Sequence, residues 1–469
     1  MDKRDELIER QAKVIEEQAK TIKQLEELVK LLQAKIAELE HRLGLNSNNS
    51  SKPPSSDGLA KENSIPKSKL KDRKKNKAAR KARKKQNSLK QVDNPDHVVE
   101  YRAEACQSCH TALSNIASDK HEKRQVFDLP KQQFFVTEHQ IHRTICPCCQ
   151  HKNYGTAPTY VKAHTQYGPN FGAFCVYLNT RQMIPYNRIS ELSFELFGRE
   201  VSEAVIINFI NQFGKISLDA LSTIEANVRA GDVKHVDETG IRVAGSLHWQ
   251  LVASSGNWTK FWVSKKRGDV MRDLTGVLVR DCFAPYDTYN KEAKMALCNA
   301  HLLRDLEAVK DVKGHEWAAK MQHLLLLMND VKARYISYGK DIPPNIKRIA
   351  IERYNALVIA SYNRFGTEKG VSALEKKAIA LIKRLMERKE DILRFFNNLV
   401  VPFTNNAAER DIRMNKVRQK ISGCFRTLHG AEVFAAIRSV VVTKIKQGAD
   451  IIDTISEALK TGKICFSSA

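Results

Sequence analysis

Three acidic residues lie where neighbouring apolar segments would carry them into one place. Asp237 sits inside Lys234-His235-Val236-Asp237-Glu238-Thr239-Gly240-Ile241-Arg242-Val243, Asp281 ends the run Gly276-Val277-Leu278-Val279-Arg280-Asp281, and Glu409 lies within Thr404 to Met414. Hard divalent ions such as Mg2+ or Mn2+ are held by a few carboxylate oxygens. A pair of such ions can bridge a scissile phosphate, sharpen an attacking oxygen and neutralise the leaving oxygen. The chemistry expected is therefore phosphoryl transfer on nucleic acid. Singly, the acids have plainer readings: Asp237 beside Thr239-Gly240 suits a turn, and Glu409 with Arg413 suits a helical ion pair of about 0.2–0.5 kcal/mol.

Cysteines supply a second chemistry. Cys106-Gln107-Ser108-Cys109 and Cys146-Pro147-Cys148-Cys149 are two knuckles whose four thiolates at 106, 109, 146 and 149 suit one tetrahedral zinc ion. With no ligand position left open for water, that zinc would be structural. Cys148 is a spare that could exchange with Cys146, and His110 and His142 are competitors. Cys298-Asn299-Ala300-His301 is half of another zinc pattern, but no second pair lies near in sequence, so packing and hydrogen bonding are the expected role.

Elements must bring these residues together. Val233–Val243, Leu247–Ala253 and Thr259–Ser264 read as a meander of three strands, broken by Gly245 and by Ser255-Gly256-Asn257. A helical patch over Asp269–Leu274 is expected next, then a buried strand ending at Asp281, then a strand from Lys294 that turns into a helix from Leu302. Thr404 or Asn405 can cap a helix carrying Glu409. Antiparallel strands, a helix and further strands describe a ribonuclease H-like sheet.

With those residues in view, the chain resembles the DDE transposases of the insertion sequence 66 family. The resemblance rests on Leu43 to Asp57, on His235-Val236-Asp237-Glu238-Thr239-Gly240, on Cys298-Asn299-Ala300-His301-Leu302-Leu303-Arg304 and on Asn405 to Phe425, which together span most of the chain. It implies that Asp237, Asp281 and Glu409 are the catalytic acids holding two Mg2+ or Mn2+ ions, and that Cys298 and His301 are the family's Cys-x-x-His motif. Asp287 is the alternative second acid; position at a strand end favours Asp281. The resemblance further implies a bacterial, nucleoid-associated cytoplasmic protein that works on transposon ends and target DNA, with accessory proteins of the same element as further partners.

The rest of the chain fits that expectation. A net charge of +24 over 469 residues points to a polyanionic partner. No apolar run reaches membrane-spanning length, and the start is charged rather than signal-like. In residues 1–45, Ile8, Ile15, Ile22, Val29, Ile36 and Leu43 fall on one heptad seam and Gln11, Gln18, Leu25, Leu32 and Leu39 on the other. β-Branched residues at the first seam and leucines at the second favour a parallel two-stranded coiled coil, hence a homodimer or higher oligomer. Residues 46–95 read as a disordered linker. Within it, Lys67 to Lys90 holds thirteen Lys or Arg residues against Asp72 alone, including Lys74, Lys75, Arg80, Lys81, Arg83, Lys84 and Lys85, which suit phosphate contacts. Arg304, Arg410 and Arg413 suit the same role.

Residues 96–155 would be the zinc ribbon, with strands near Val98–Tyr101 and Phe134–Ile145. Residues 156–228 read as helical, with Ile189–Phe197, a break at Gly198 and a second helix capped by Ser202, a pair that suits either helix-turn-helix reading of DNA or plain packing. The ribonuclease H-like catalytic core would occupy 229–301 and 398–469. Between them, 302–397 reads as an all-helical insertion, with helices over 315–338, 345–365 and 372–396. The chain is thus expected to be multidomain α+β. The rival readings are a non-catalytic DNA-binding regulator and a nuclease that hydrolyses without strand transfer.

Overall fold

A computed structural model describes residues 91–116, 122–129, 132–310, 315–365 and 373–466, with scattered positions between 18 and 29. The chain divides into two compact units, residues 58–135 and residues 1–57 with 136–469. Most of the expected coiled coil, the Asn46–Asp57 stretch and the basic residues from Lys74 to Lys85 lie outside the described residues. Of the seam positions, Ile22, Leu25 and Val29 are helical and 57%, 55% and 51% exposed.

In the smaller unit, a bridge between Ala105 and Ala112 closes a turn around Cys106–Thr111. The expected strand over Val98–Tyr101 is absent: Val98, Val99 and Tyr101 are 76%, 68% and 92% exposed, with no apolar face for a strand to cover.

The larger unit opens with the antiparallel pair β1 (Arg143–Ile145) and β2 (Lys152–Tyr154). Four helices follow: α1 (Pro169–Thr180), α2 (Tyr186–Phe197), α3 (Glu203–Asp219) and α4 (Leu221–Ala230). Gly198 ends α2 in the left-handed conformation, and Ser202 precedes α3 without a side-chain capping bond. Ile206, Phe209, Ile210 and Phe213 of α3 are buried against α1 and the later α12 (Leu428–Lys446). At Gly214 an added Cβ would stand 2.5 Å from Val433, so the helices meet nearly backbone to side chain. The exposed face of α3 carries Lys215 against Glu203 and Asp219. One face of α3 is thus enclosed by α1 and α12, and its outer face is net acidic.

A mixed sheet of five strands in the order β5-β4-β3-β6-β7 forms the centre. Here β3 is Val233–Val243, β4 Ser246–Ser255, β5 Trp258–Ser264, β6 Val277–Arg280 and β7 Lys294–Leu297. β3, β4 and β5 are antiparallel, while β6 and β7 run parallel to β3. Ala244 and Gly245, both at positive φ, make the tight β3–β4 turn that suits the twist of a hairpin. Gly276 precedes β6 at φ +73, where a Cβ would lie 2.5 Å from the Asp232 carbonyl oxygen, so glycine there lets β6 pair with β3 from Val277 onward.

Asp269–Leu274 is not helical, contrary to the periodicity. Asp273 takes a positive φ, and the backbone bonds go elsewhere: Asp273 donates to the Tyr289 carbonyl (3.0 Å) and Leu274 to Asn290 Oδ1 (2.9 Å). Both acceptors flank the end of α5 (Pro285–Tyr289), a short helix whose periodic signal is too brief to detect.

Helix α6 (Asn299–Val309) begins three residues before the expected start, with Cys298 at its N-cap position. With α7 (Trp317–Ser337), α8 (Pro344–Phe365), α9 (Ala373–Glu387) and α10 (Lys389–Asn397) it encloses a core of its own, including Leu306, Met321, Leu325, Val358, Ile382, Leu385 and Phe396. α10 packs on the edge strand β7. α11 (Asn406–Ser422) then lies along β3 and β4, α12 covers β5, and α13 (Ile451–Thr461) returns to α1. Asp450 accepts the Asp453 amide (2.9 Å) to cap α13.

Candidate active site

Asp237 stands near the middle of β3, the strand paired on both sides, opposite Val252 of β4. Burial is the main force raising its carboxyl to about 8, and the charges of Glu238, Asp281 and Glu409 add to it. Asp281 is the first residue beyond β6, in the sheet position next to β3. Its Oδ1 accepts the Phe283 amide (2.9 Å), a local turn that aims the side chain. Glu409 lies in the first turn of α11. Three elements far apart in sequence therefore bring their acids within mutual electrostatic reach.

Asp287 is differently placed. Its carboxylate is ion-paired to Arg280 and, at 2.8 Å, to Arg388 next to α10. Two guanidiniums occupy its oxygens, so it serves as a strut between β6 and the helices rather than as a free ligand.

Glu409 has two neighbours from the Cys-x-x-His stretch. Cys298 Sγ donates to Glu409 Oε1 at 3.5 Å, and His301 Nδ1 lies 3.8 Å from the same oxygen. Burial lifts the Cys298 thiol to about 11; burial first, and then Arg304, lower the basicity of His301.

Asn405, expected only as a cap, does more. It occupies the N-cap position of α11 but makes no side-chain bond to that helix. Its Oδ1 meets His235 Nδ1 (2.9 Å), its Nδ2 donates to the Val236 carbonyl (2.7 Å) and its amide donates to Cys298 Sγ (3.1 Å). The start of the Glu409 helix is thus fastened to both the Asp237 strand and the end of β7.

A further network escaped the sequence reading. Glu238 is 1% exposed as a side chain; Tyr286 Oη donates to its Oε2 (2.7 Å), and Arg267 Nε and a terminal nitrogen donate to its Oε1 (3.0 and 2.7 Å). The Arg267 guanidinium lies 4.1 Å from the Phe283 ring centre and 5.0 Å from that of Trp249. Only the adjacency of two acids, Asp237-Glu238, hinted at it.

Of the expected phosphate-binding residues, Arg304 is half-buried on α6 and donates to the Ala300 carbonyl (3.3 Å), whereas Arg410 and Arg413 are exposed on α11. Arg413, Lys416 and Lys420 are all exposed and follow Glu409 at helical spacing, giving a basic stripe that runs away from the acid.

The two cysteine knuckles share one backbone pattern. Cys106 donates to the Thr111 carbonyl and accepts from the His110 amide; Cys146 donates to the His151 carbonyl and accepts from the Gln150 amide, all at 2.9 Å. His110 and Gln150, each just past the second cysteine, take φ of 59° and 57°. In this correspondence Cys146 and Cys149 align with Cys106 and Cys109, and Cys148 aligns with Ser108. Hydrogen bonding from Thr111 holds the Cys109 thiol down at about 7, which favours the thiolate a metal needs. The residues fit zinc.

Residues 164–433, more than half of the chain, match the family model described as the Transposase IS66 family. The chain belongs to the IS66 transposase family. Residues 103–150 match the zinc-finger binding domain of transposase IS66, and residues 6–89 match a family of unknown function (DUF6444). No curated protein matches the chain. Among the described residues, no helix is long and apolar enough to cross a membrane.

Proposed function

We propose that this transposase cuts and joins DNA strands through a carboxylate triad of Asp237, Asp281 and Glu409. The observation that carries the reading is the placing of Asp237 on the central strand with Asp281 and Glu409 near enough to act on it: its carboxyl is raised first by burial, then by the charge of Glu238, and further by those of Asp281 and Glu409. Anionic groups gathered so closely are stabilised by cations, and the all-oxygen set formed by the three acids suits magnesium or manganese. Two such ions, when bound, activate the attacking oxygen and stabilise the leaving one. The sheet order, with an antiparallel meander followed by two parallel strands, supports a ribonuclease H-like core, and the separately cored helices α6–α10 support an insertion within it.

The protein's own part is to orient the acids and the DNA. Asn405 ties the Glu409 helix to the Asp237 strand. Arg410 and Arg413, with Lys416 and Lys420, present charge along α11 to the phosphate backbone. In the proposed sequence, water first hydrolyses the phosphodiester at the element's end. The freed 3′-hydroxyl then attacks a target phosphodiester in line, and that bond's own 3′-oxygen leaves. The cysteine knuckles would hold structural zinc, and the N-terminal heptads would pair two chains so that two ends are handled together.

Cleavage of labelled end DNA with Mg2+ or Mn2+ tests the triad. Asp237→Ala, Asp281→Ala and Glu409→Ala should each lower the rate at least ~10³-fold while still binding DNA; full activity in Asp281→Ala would overturn the assignment.

A further inference from the structure

Cys298 and His301 are unused by the triad chemistry, yet they converge on one of its members. The ligand atoms of Cys298, His301 and Glu409 all lie within 4.8 Å of one another. Cys298 Sγ is 3.5 Å and His301 Nδ1 3.8 Å from Glu409 Oε1. A tetrahedral zinc ion with bonds of about 2.3 Å to sulfur and about 2.0–2.2 Å to nitrogen and oxygen keeps neighbouring ligand atoms roughly 3.3–3.7 Å apart. The two separations to Glu409 match such a coordination shell to within a few tenths of an ångström, and the third pair lies within 4.8 Å.

A second observation points the same way. His301 Nδ1 is enclosed by protein and makes no hydrogen bond, a costly arrangement for a ring nitrogen unless something else meets it. The sulfur is also held in place: Cys298 is 2% exposed, stands at the N-cap of α6, and accepts the Asn405 amide at 3.1 Å. All three residues sit on or beside first helical turns, so the set is held by regular elements.

We infer that Cys298, His301 and Glu409 form a transition-metal site of the zinc type, separate from the cysteine knuckles. Thiolate and imidazole select a softer ion than the magnesium or manganese suited to a carboxylate set. With Glu409 Oε1 turned to this ion, Oε2 is left for the triad; that part rests on the transposase reading, whereas the site itself does not. The ion would anchor the Glu409 carboxylate as a positioning device.

The test compares metal content and cobalt spectra of the full chain, wild type against Cys298→Ser and His301→Ala, with melting curves as a folding check. Each variant should carry one metal ion fewer per chain than wild type while still melting in a single cooperative transition, at a temperature lowered by no more than loss of the ion accounts for. Cobalt-loaded wild type should show thiolate-to-cobalt absorption that Cys298→Ser reduces, and Cys106→Ser should leave that wild-type-minus-variant difference intact. Should Cys298→Ser fail to fold, His301→Ala decides by the same loss. Equal metal content and superimposable cobalt spectra would overturn the site. If that happens while Asp237→Ala still abolishes cleavage, the triad reading survives alone; loss of the ion in the variants of a protein that never cleaves would leave the site standing without it.

Discussion

At the scale of single residues, Asp237 is the carboxyl whose protonation the fold controls most visibly. Its folded value of about 8 lies above the ordinary 3.8, so between those limits the metal-free folded state keeps a proton that the unfolded chain has lost. The stability contributed by the neutral carboxyl is present below about pH 4 and is lost as pH rises through about 8. Melting of the metal-free protein should accordingly fall between about pH 5 and pH 9. Asp237→Asn should flatten that slope and melt higher at pH 8, by an amount on the order of 1–3 kcal/mol. Mn2+ should stabilise the wild type more at pH 8 than at pH 5, because it binds the ionised form, and should stabilise Asp237→Asn less. Calorimetry across this range checks all three. The positions of the acids were legible because Asp237 interrupts and Asp281 ends an apolar run, and because Asn405 marks the start of the helix that carries Glu409. Glu238 was not: its significance depends on Tyr286 and Arg267, which approach from 48 and 29 residues away.

Among elements, α11 matters most, because it carries Glu409 to a sheet built more than a hundred residues earlier. Asn405 makes the junction with its side chain and amide, bonding His235, Val236 and Cys298. Asn405→Ala should leave the Val236 carbonyl and the His235 ring without partners, at about 1–3 kcal/mol, and lower cleavage more than DNA binding. Asn405→Asp keeps the acceptor for His235 but removes the donor to Val236, and should fall between; denaturant melts and binding titrations beside cleavage rates separate the effects. The sheet strands were readable from Val- and Ile-rich runs bounded by Gly245 and Gly256. Asp269–Leu274 misled because buried Val270, Met271 and Leu274 mimic a helical period, while the real constraint is backbone bonding to the segment around Asn290. Ser202 and Gly198 marked α2 and α3 correctly, but sequence could not reveal that α12 would cover α3.

For the whole molecule, charge and periodicity carry the expectations. Half of the +24 net charge falls in residues 67–90, so replacing Lys74, Lys75, Arg80, Lys81, Arg83, Lys84 and Lys85 with Gln should weaken DNA binding at every sequence. The slope of log affinity against log salt should drop by roughly 0.9 for each phosphate that the variant no longer neutralises. Deleting residues 1–45 should convert a dimer to a monomer in light scattering and abolish joint processing of two ends, while single-end binding persists. The cysteine segment and the transposase segment after it were legible because each has its own chemistry, whereas the heptads and the basic run lie outside the described residues apart from scattered positions between 18 and 29. The return of residues 398–466 to the sheet was expected, but which strand each helix covers was not legible, since packing across a long helical excursion leaves no local trace.

The most direct measurement supplies the protein with a pre-cut element end bearing a free 3′-hydroxyl, a target plasmid and Mg2+ or Mn2+, and looks for covalently joined product. Wild type should join the end to the target, whereas Asp237→Ala, Asp281→Ala and Glu409→Ala should bind the end and join nothing. Hydrolysed ends without any joined product from the wild type, or joining that survives removal of an acid, would contradict strand transfer by this triad.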